Sequence, residues 1–163
     1  MRIQNKTKIT AEPDQHDVFI EREFNGPREL VFRTFSEPDL IQQWMGFEDQ
    51  TCVIDKLDNR SGGEWRFIHE DCDGNKAAFS GVIHEVTEPE RIIRTFEFEG
   101  LPERGHVSLE TLMLRSLGNK TKIVIHSVFR SVEDRDGFIQ SGAEKGIVAS
   151  HNALDNLLEK LQR

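Results

Sequence analysis

The 163 residues include 36% hydrophobic and 31% charged residues, which is typical of a globular chain long enough for one domain with its own core. The longest uninterrupted apolar runs have three residues, such as Leu30–Phe32, whereas a membrane-spanning helix needs about 20. The net charge of −8 argues against a nucleic-acid-binding protein, because such proteins usually carry a basic face.

The first residues of the chain are polar and lack the apolar segment of a signal peptide, so we expect a cytoplasmic protein. Residues 1–16 contain Pro13 and show no periodicity, which predicts a flexible N-terminal arm. Residues 17–163 are then expected to form a single domain. Cys52 and Cys72 are expected to be free thiols rather than a disulfide, since no export signal accompanies them.

The first elements of this domain are a strand and two short helices. Hydrophobic residues alternate with polar ones over Asp17–Phe24, a period of two that predicts a strand. A turn ending at Pro27 precedes a helical pattern, because proline suits the first position of a helix. Ser36 resembles the N-cap of a second short helix that ends near Trp44.

From residue 51 to residue 129 the pattern is one of strands and tight turns. Asp73–Gly74 and Gly118–Asn119 are strong signals for two-residue hairpin turns. Gly81 lies inside a long strand, where the missing side chain permits a bulge. Six strands in consecutive hairpins are predicted: Thr51–Leu57, Glu64–His69, Lys76–Thr87, Arg91–Glu99, Val107–Leu117 and Thr121–Phe129.

The C-terminal segment is helical. Capping boxes at Ser131 and Ser141 predict a short helix followed by a long one. Gly142 and Gly146 indicate either a frayed first turn or a close approach to the sheet. The long helix carries one continuous stripe, formed by Ala143, Ile147, Ser150, Leu154, Leu157 and Leu161.

These elements predict an α+β fold in which a curved antiparallel sheet wraps around the long C-terminal helix, with two short helices after the first strand. Only the last helix has an apolar stripe long enough to cover one face of the sheet. Because a twisted sheet separates from a straight helix at its edges, we expect an elongated cavity between them. The short helices and the loops between strands would lie at its mouth.

Several sequence segments, in order, resemble one branch of the START-like (SRPBCC) superfamily, the branch named after the activator of the ninety-kilodalton heat-shock chaperone's ATPase. The resemblance covers residues 17–161 and implies the helix-grip fold. The segments that carry it are Phe24–Phe32, Ser36–Leu40, Trp44, Arg60–Phe67, Gly81–Val86, Pro89–Ile92 and Leu154–Leu158.

One position differs from the pattern of this branch. Bacterial members often have Gly-Trp in the last helix, where this chain has Gly146–Ile147, so the cavity wall there would be aliphatic. The superfamily includes lipid carriers, hormone receptors, polyketide aromatase/cyclases and chaperone regulators, and fold analogy does not choose among them.

No catalytic residue, metal ligand or cofactor is predicted. His69, Asp71 and Cys72 lie close together in sequence, but the spacing matches no strong zinc pattern, and residues 71–73 are interpreted as a hairpin turn. Neither cysteine has a general base that the sequence identifies. The glycines of residues 61–63 lack the lysine of a phosphate-binding loop.

The aromatic residues predict a lined cavity, although an ordinary hydrophobic core is the alternative interpretation. An inward Arg66 or Arg94 could orient a ligand, and it would need an acidic partner or an anionic ligand because an unpaired buried charge is costly. The predicted cavity-lining residues are Trp44, Trp65, Phe67, His69, Phe79, Phe96, Phe98, Met113, Gly146, Ile147 and Ser150.

The sequence therefore predicts a protein that binds a small hydrophobic or aromatic ligand between the sheet and the C-terminal helix. A second hypothesis is an interaction with a heat-shock chaperone whose ATPase it would regulate. A third is a cyclase-like enzyme that uses the same cavity, although a non-enzymatic role is favoured. No nucleic acid and no membrane are expected as partners.

Overall fold

A computed structural model of the chain describes residues 5–46 and 50–163 and contains eight strands and four helices in that part. The strands are β1 (Lys8–Thr10), β2 (Asp17–Phe24), β3 (Thr51–Leu57), β4 (Glu64–Glu70), β5 (Lys76–Thr87), β6 (Arg91–Phe98), β7 (Val107–Leu117) and β8 (Lys120–Val128). The helices are α1 (Arg28–Ser36), α2 (Pro38–Met45), α3 (Val132–Gln140) and α4 (Ala143–Leu161).

All eight strands belong to one curved, unclosed antiparallel sheet with the order β1-β2-β8-β7-β6-β5-β4-β3. Consecutive hairpins build β3 to β8, as predicted, and β2 joins the sheet beside β8. This arrangement with the long C-terminal helix α4 confirms the predicted α+β fold. No helix within residues 5–46 and 50–163 is long and apolar enough to cross a membrane.

One face of the sheet packs against α4. Leu154, Leu157 and Leu158 of this helix are buried in a cluster with residues of the central strands, such as Leu112 and Ile123. A second cluster lies under α2 and includes Trp65. The predicted helix stripe therefore covers the sheet through Leu154 and Leu157, but it ends before Leu161, which is exposed.

Part of the segment expected to be a flexible arm is an edge strand. Lys8–Thr10 pairs with β2 in antiparallel register, with Ile9 opposite Ile20. Thr7 also bonds to buried side chains of β2 and α4. The prediction of a flexible N-terminal arm is therefore wrong for residues 7–10. A three-residue strand is too short to show periodicity, which explains why the sequence pattern missed it.

Only one of the two predicted capping boxes provides a helix cap in the structure. Ser131 caps α3, because its hydroxyl accepts a hydrogen bond from the backbone N–H of Asp134 at 3.1 Å. The box at Ser141 does not form, since its hydroxyl donates instead to the backbone oxygen of Phe138 at 2.6 Å. Helix α4 begins after Gly142, whose φ of 84° explains the glycine at this position.

Gly81 does not mark the bulge of β5. The register between β5 and β6 shifts further along, between Ile83 and Glu85. At Gly81 a Cβ atom would lie 1.9 Å from the backbone oxygen of Thr95 and 2.7 Å from Nε1 of Trp65. Glycine is required here because a side chain would collide with the backbone of Thr95 and with the Trp65 indole.

Candidate functional site

A partly enclosed cavity of about 210 Å³ lies between the sheet and the helices. Strands β2 and β4, the central strands β6 to β8, and all four helices contribute to its wall. An apolar cavity of about 150 Å³ is large enough to bind benzene, so this one can hold a somewhat larger molecule.

The sheet side of the wall is mostly apolar. Alternation along each strand turns every second side chain towards the cavity, and large aliphatic or aromatic residues occupy most of these positions. The apolar sheet residues in the wall are Ile20, Phe67, Ile92, Phe96, Leu112 and Ile125.

The opposite side comes from the helices and the segment before α3. Trp44 is held in place because its Nε1 donates to the backbone oxygen of Thr34 at 2.7 Å, and its ring meets Phe35 edge-on at 5.0 Å. The apolar residues on this side are Phe35, Trp44, Met45, Phe129, Phe138 and Ile147.

A polar row crosses the sheet floor of the cavity. Arg94 on β6 is the direct partner of Glu110 on β7, which is in turn the direct partner of Ser127 on β8. All three side chains line the cavity. Ser108, two residues before Glu110, lines it as well and lies opposite Phe96. Directly paired positions on neighbouring strands share one face, which explains why these polar groups stand together.

Arg94 and Glu110 form an ion pair in which Nε of the arginine donates to Oε1 of the glutamate at 3.0 Å. Each side chain is 19% exposed. The guanidinium lies over the Trp65 ring, with Cζ 3.9 Å from the ring centroid. The expectation that an inward arginine would have an acidic partner is met at Arg94. Arg66 points to the other face, where it pairs with Glu99 and Asp55.

The ion pair leaves hydrogen-bonding capacity unused. Within residues 5–46 and 50–163, no side chain or backbone group bonds the two Nη nitrogens of Arg94 or the second carboxylate oxygen of Glu110. Ser108 and Ser127 are buried residues that line the cavity, and their hydroxyls bond to no other group in this part of the chain. The hydroxyl of Ser150 differs, since it donates to the backbone oxygen of Ile147 at 2.9 Å.

A buried polar network adjoins the cavity, and sequence reasoning missed it. His151 lines the cavity, is 3% exposed, and contacts the Thr7 hydroxyl through Nδ1 at 2.9 Å. Arg22 donates to Thr7 and Asn152 at 3.0 Å each and forms an ion pair with Asp155. Burial, with a smaller contribution from the Arg22 charge, lowers the pKa of His151 to about 3.

Five of the predicted lining residues are in the cavity wall: Trp44, Phe67, Phe96, Ile147 and Ser150. Trp65 faces inward, as predicted from its alternation with Phe67, and is 1% exposed. It is not part of the wall, because the Arg94 guanidinium covers its ring.

Three further predicted residues extend the aromatic packing away from the cavity. The rings of Phe96 and Phe79 are 5.4 Å apart, and Phe79 lies 5.3 Å from both Phe98 and His69. Burial lowers the pKa of His69. These three residues are inward but lie beyond Phe96, and none of them lines the cavity. All three are half-buried, and Phe79 packs against the second core cluster. Core packing was the alternative interpretation of the aromatic surplus.

Met113 and Gly146 are placed differently from the prediction. Met113 is 41% exposed on the outer face of the sheet, while its neighbours Leu112 and Leu114 point inward. The expectation was wrong because it did not follow the alternation along β7. Gly146 is half-buried and does not line the cavity.

Residues 71–73 belong to a turn, as interpreted, whereas His69 lies on β4. Both carboxylate oxygens of Asp71 accept hydrogen bonds from Asn75, which closes the hairpin. No cluster of potential metal ligands is found in the part of the chain that the structure describes. Cys52 is a buried free thiol and Cys72 an exposed one.

Besides Arg94, the ionisable side chains that line the cavity are Glu110 and His151. The low pKa of His151 keeps its imidazole neutral at pH 7 and makes it a weak base. Glu110 is held by Arg94. The site thus offers an apolar enclosure with a fixed polar row at one side, which is the usual composition of a small-molecule pocket.

Comparison with known proteins agrees with this architecture. A family model described as "Activator of Hsp90 ATPase homolog 1-like protein" matches residues 25–159. Protein Ms6760 from Mycobacterium smegmatis is 21% identical, with a TM-score of 0.85 over 93% of this chain and 96% of that one. A Rhodobacter sphaeroides protein is 18% identical, with a TM-score of 0.85 over 95% and 99% of the two chains.

The AHSA1 protein from Silicibacter pomeroyi is 23% identical to the chain, with a TM-score of 0.74 over 90% of this chain and 99% of that one. At these identities the solved structures show the shared fold alone. None of the curated proteins matches the chain.

Proposed function

The chain belongs to the family of Activator of Hsp90 ATPase homolog 1-like proteins, and from this premise we propose that it binds a small apolar or aromatic molecule in the cavity between sheet and helices. The observation that supports the proposal is the cavity of about 210 Å³ with its mostly apolar wall. The START-like fold commonly binds hydrophobic ligands, which agrees with it.

Burial of apolar surface would supply the affinity. Phe67, Phe96 and Trp44 present rings to the cavity, and aromatic walls contribute strongly to binding because each ring offers a large contact area. Removing a ligand's apolar surface from water contributes about 25 cal/mol per Å² before the cost of immobilising it.

Calorimetric titration with ethylbenzene tests the proposal, with Ile147→Trp as the decisive variant. Ile147 is in the wall, so the larger indole would fill the cavity. We expect saturable binding to the unaltered chain and an affinity at least about 10-fold lower in the variant. Val148→Trp is the matched control, since Val148 lies on the outer groove of α4. Absence of saturable binding, or equal losses in both variants, would contradict the proposal.

The family description supports a second candidate function, an interaction with a heat-shock chaperone that changes its ATPase activity. The test is the ATP turnover of a purified ninety-kilodalton heat-shock chaperone, measured with and without the chain and without any small molecule. Increased turnover would support this function, whereas unchanged turnover over a range of concentrations would remove it.

A further inference from the structure

The chemistry of the polar row restricts which apolar molecules the cavity accepts. We propose that the ligand is an uncharged ring compound that carries a hydrogen-bond acceptor beside a donor, as a carboxamide or a lactam does, with the acceptor on Arg94 and the donor on Glu110. This inference rests on the proposed binding function.

The Arg94–Glu110 ion pair has hydrogen-bonding capacity left for a ligand. Arg94 and Glu110 both lie in the cavity wall, and a single hydrogen bond joins them, from Nε to Oε1 at 3.0 Å. The Arg94 guanidinium stacks on Trp65, which fixes its plane. A bound molecule would displace water from the unused donors of the arginine and the unused acceptors of the glutamate. A ligand without polar atoms would leave both groups unsatisfied, which is costly in an enclosed site.

The net charge of the cavity wall favours an uncharged ligand. The charges of Arg94 and Glu110 cancel each other. The other titratable group in the wall, His151, is neutral because its pKa is lowered to about 3. A carboxylate on Arg94 would lie close to the Glu110 carboxylate, and an ammonium on Glu110 would lie close to the guanidinium. Either ion would also lose its hydration in a mostly apolar enclosure. A neutral donor–acceptor edge avoids both costs.

Two serines lie beside the ion pair on the same face of the sheet. Ser127 is the direct partner of Glu110 on the next strand, and Ser108 lies two residues before Glu110 on the same face. Their hydroxyls can each donate or accept, so they extend the polar row without adding charge. The rest of the enclosure is mostly apolar, which places the ring of the ligand opposite this row.

Four compounds of similar size test the inference: benzamide, benzoate, benzylammonium and ethylbenzene. Calorimetric or NMR titration of the full chain should show benzamide binding about 10-fold or more tightly than each of the others, the contrast expected for hydrogen bonds to charged groups. Equal affinity for benzamide and ethylbenzene would overturn the inference and leave the proposed function intact. If none of the four compounds binds, both fail. Tightest binding of benzoate overturns the inference alone.

Two single variants sharpen the test by changing the charge of the site. Glu110→Gln should shift the preference from benzamide to benzoate, and Arg94→Gln should shift it towards benzylammonium, each by about 10-fold or more. Glu99→Gln is the matched control, because Glu99 pairs with Arg66 on the outer face of the sheet. Its selectivity should equal that of the unaltered chain. If Arg94→Gln does not fold, Glu110→Gln alone decides, and an unchanged preference in that variant overturns the inference.

Discussion

The indole of Trp65 donates a hydrogen bond from Nε1 to the backbone oxygen of Thr95 at 3.0 Å, although a whole strand separates the two residues. Trp65 is on β4, Thr95 is on β6, and the ring passes over Gly81 on the intervening β5. The same ring supports the Arg94 guanidinium at the cavity wall. The absence of a side chain at Gly81 therefore contributes to the geometry of the polar row.

Replacing Gly81 by alanine should destabilise the fold. The new Cβ would lie 1.9 Å from the backbone oxygen of Thr95, so the strands or the indole must shift. We expect a loss of about 1–3 kcal/mol in the free energy of unfolding, measured by urea denaturation. Gly137→Ala is the control, since a Cβ at this helical position meets nothing within 4 Å. It should stabilise the chain by about 0.5–1 kcal/mol, and similar losses in both variants would contradict this account.

The packing of α4 on the sheet leads to a second prediction. Leu157 is buried in the main core cluster, whereas Leu161, one turn later, is exposed. Leu157→Ala should reduce the free energy of unfolding by about 2–5 kcal/mol, through lost burial and the cavity left behind. Leu161→Ala should have an effect within about 0.5 kcal/mol, since it is largely in solvent. A loss under about 1 kcal/mol at Leu157 would mean that this helix does not cover the sheet.

The two thiols should react at very different rates. Cys72 is exposed, while burial raises the pKa of Cys52 to about 11 and keeps it protonated. A thiol reagent at pH 8 should titrate one cysteine rapidly in the folded chain and both after denaturation without reductant. Cys72→Ser should remove the fast reaction, and Cys52→Ser should preserve it. If denaturation releases no reactive thiol, the cysteines are paired.

His151 should make the stability of the fold depend on pH. Its pKa in the folded chain is lowered from 6.5 to about 3, because burial and the neighbouring Arg22 disfavour the charged imidazolium. Between these values the unfolded chain binds the additional proton, so the free energy of unfolding falls as the pH falls. The stabilisation is fully present above about pH 7 and decreases by about 1.4 kcal/mol per pH unit below about pH 6.

The comparison with His151→Gln isolates this contribution. Glutamine keeps a hydrogen-bonding side chain near Thr7 without the titration, and all other side chains are the same in both proteins. Urea unfolding at pH 7.5, 6 and 5 should therefore show that the difference in stability between the two proteins changes in favour of the variant at low pH. Parallel pH profiles would show that the histidine does not titrate differently on folding.

Local patterns were sufficient to predict the elements and the inward face of most strands. Asp17–Phe24, Lys76–Thr87 and Val107–Leu117 have the bounds expected from alternation and turn signals. The same alternation, applied to β7, places Leu112 inward and Met113 outward. The sequence therefore contained the information needed to place Met113 on the outer face. The edge strand β1 carried no periodic signal.

Much of the candidate site depends on contacts between residues far apart in sequence, which local patterns do not contain. An inward arginine was expected to have an acidic partner, but the pairing of Arg94 with Glu110 follows from the register of β6 and β7. His151 and Arg22 look like ordinary polar positions in the sequence. Both are buried, and both bond to the hydroxyl of Thr7, which lies 144 positions before His151.

The contribution of the aromatic wall can be measured by comparing two neighbouring phenylalanines. Phe67 on β4 and Phe79 on β5 are direct partners in the sheet, but only Phe67 lines the cavity. Phe67→Ala should weaken ethylbenzene binding by more than about 1 kcal/mol, roughly 5-fold, because the ring supplies much of the buried contact. Phe79→Ala should destabilise the fold while changing the affinity by less than about 2-fold, since it removes core packing alone. Both affinities must be measured by calorimetry well below the melting temperature of each variant, so that unfolding does not mimic weaker binding. Equal losses of affinity in the two variants would indicate that general loosening of the sheet, rather than contact with the Phe67 ring, controls binding.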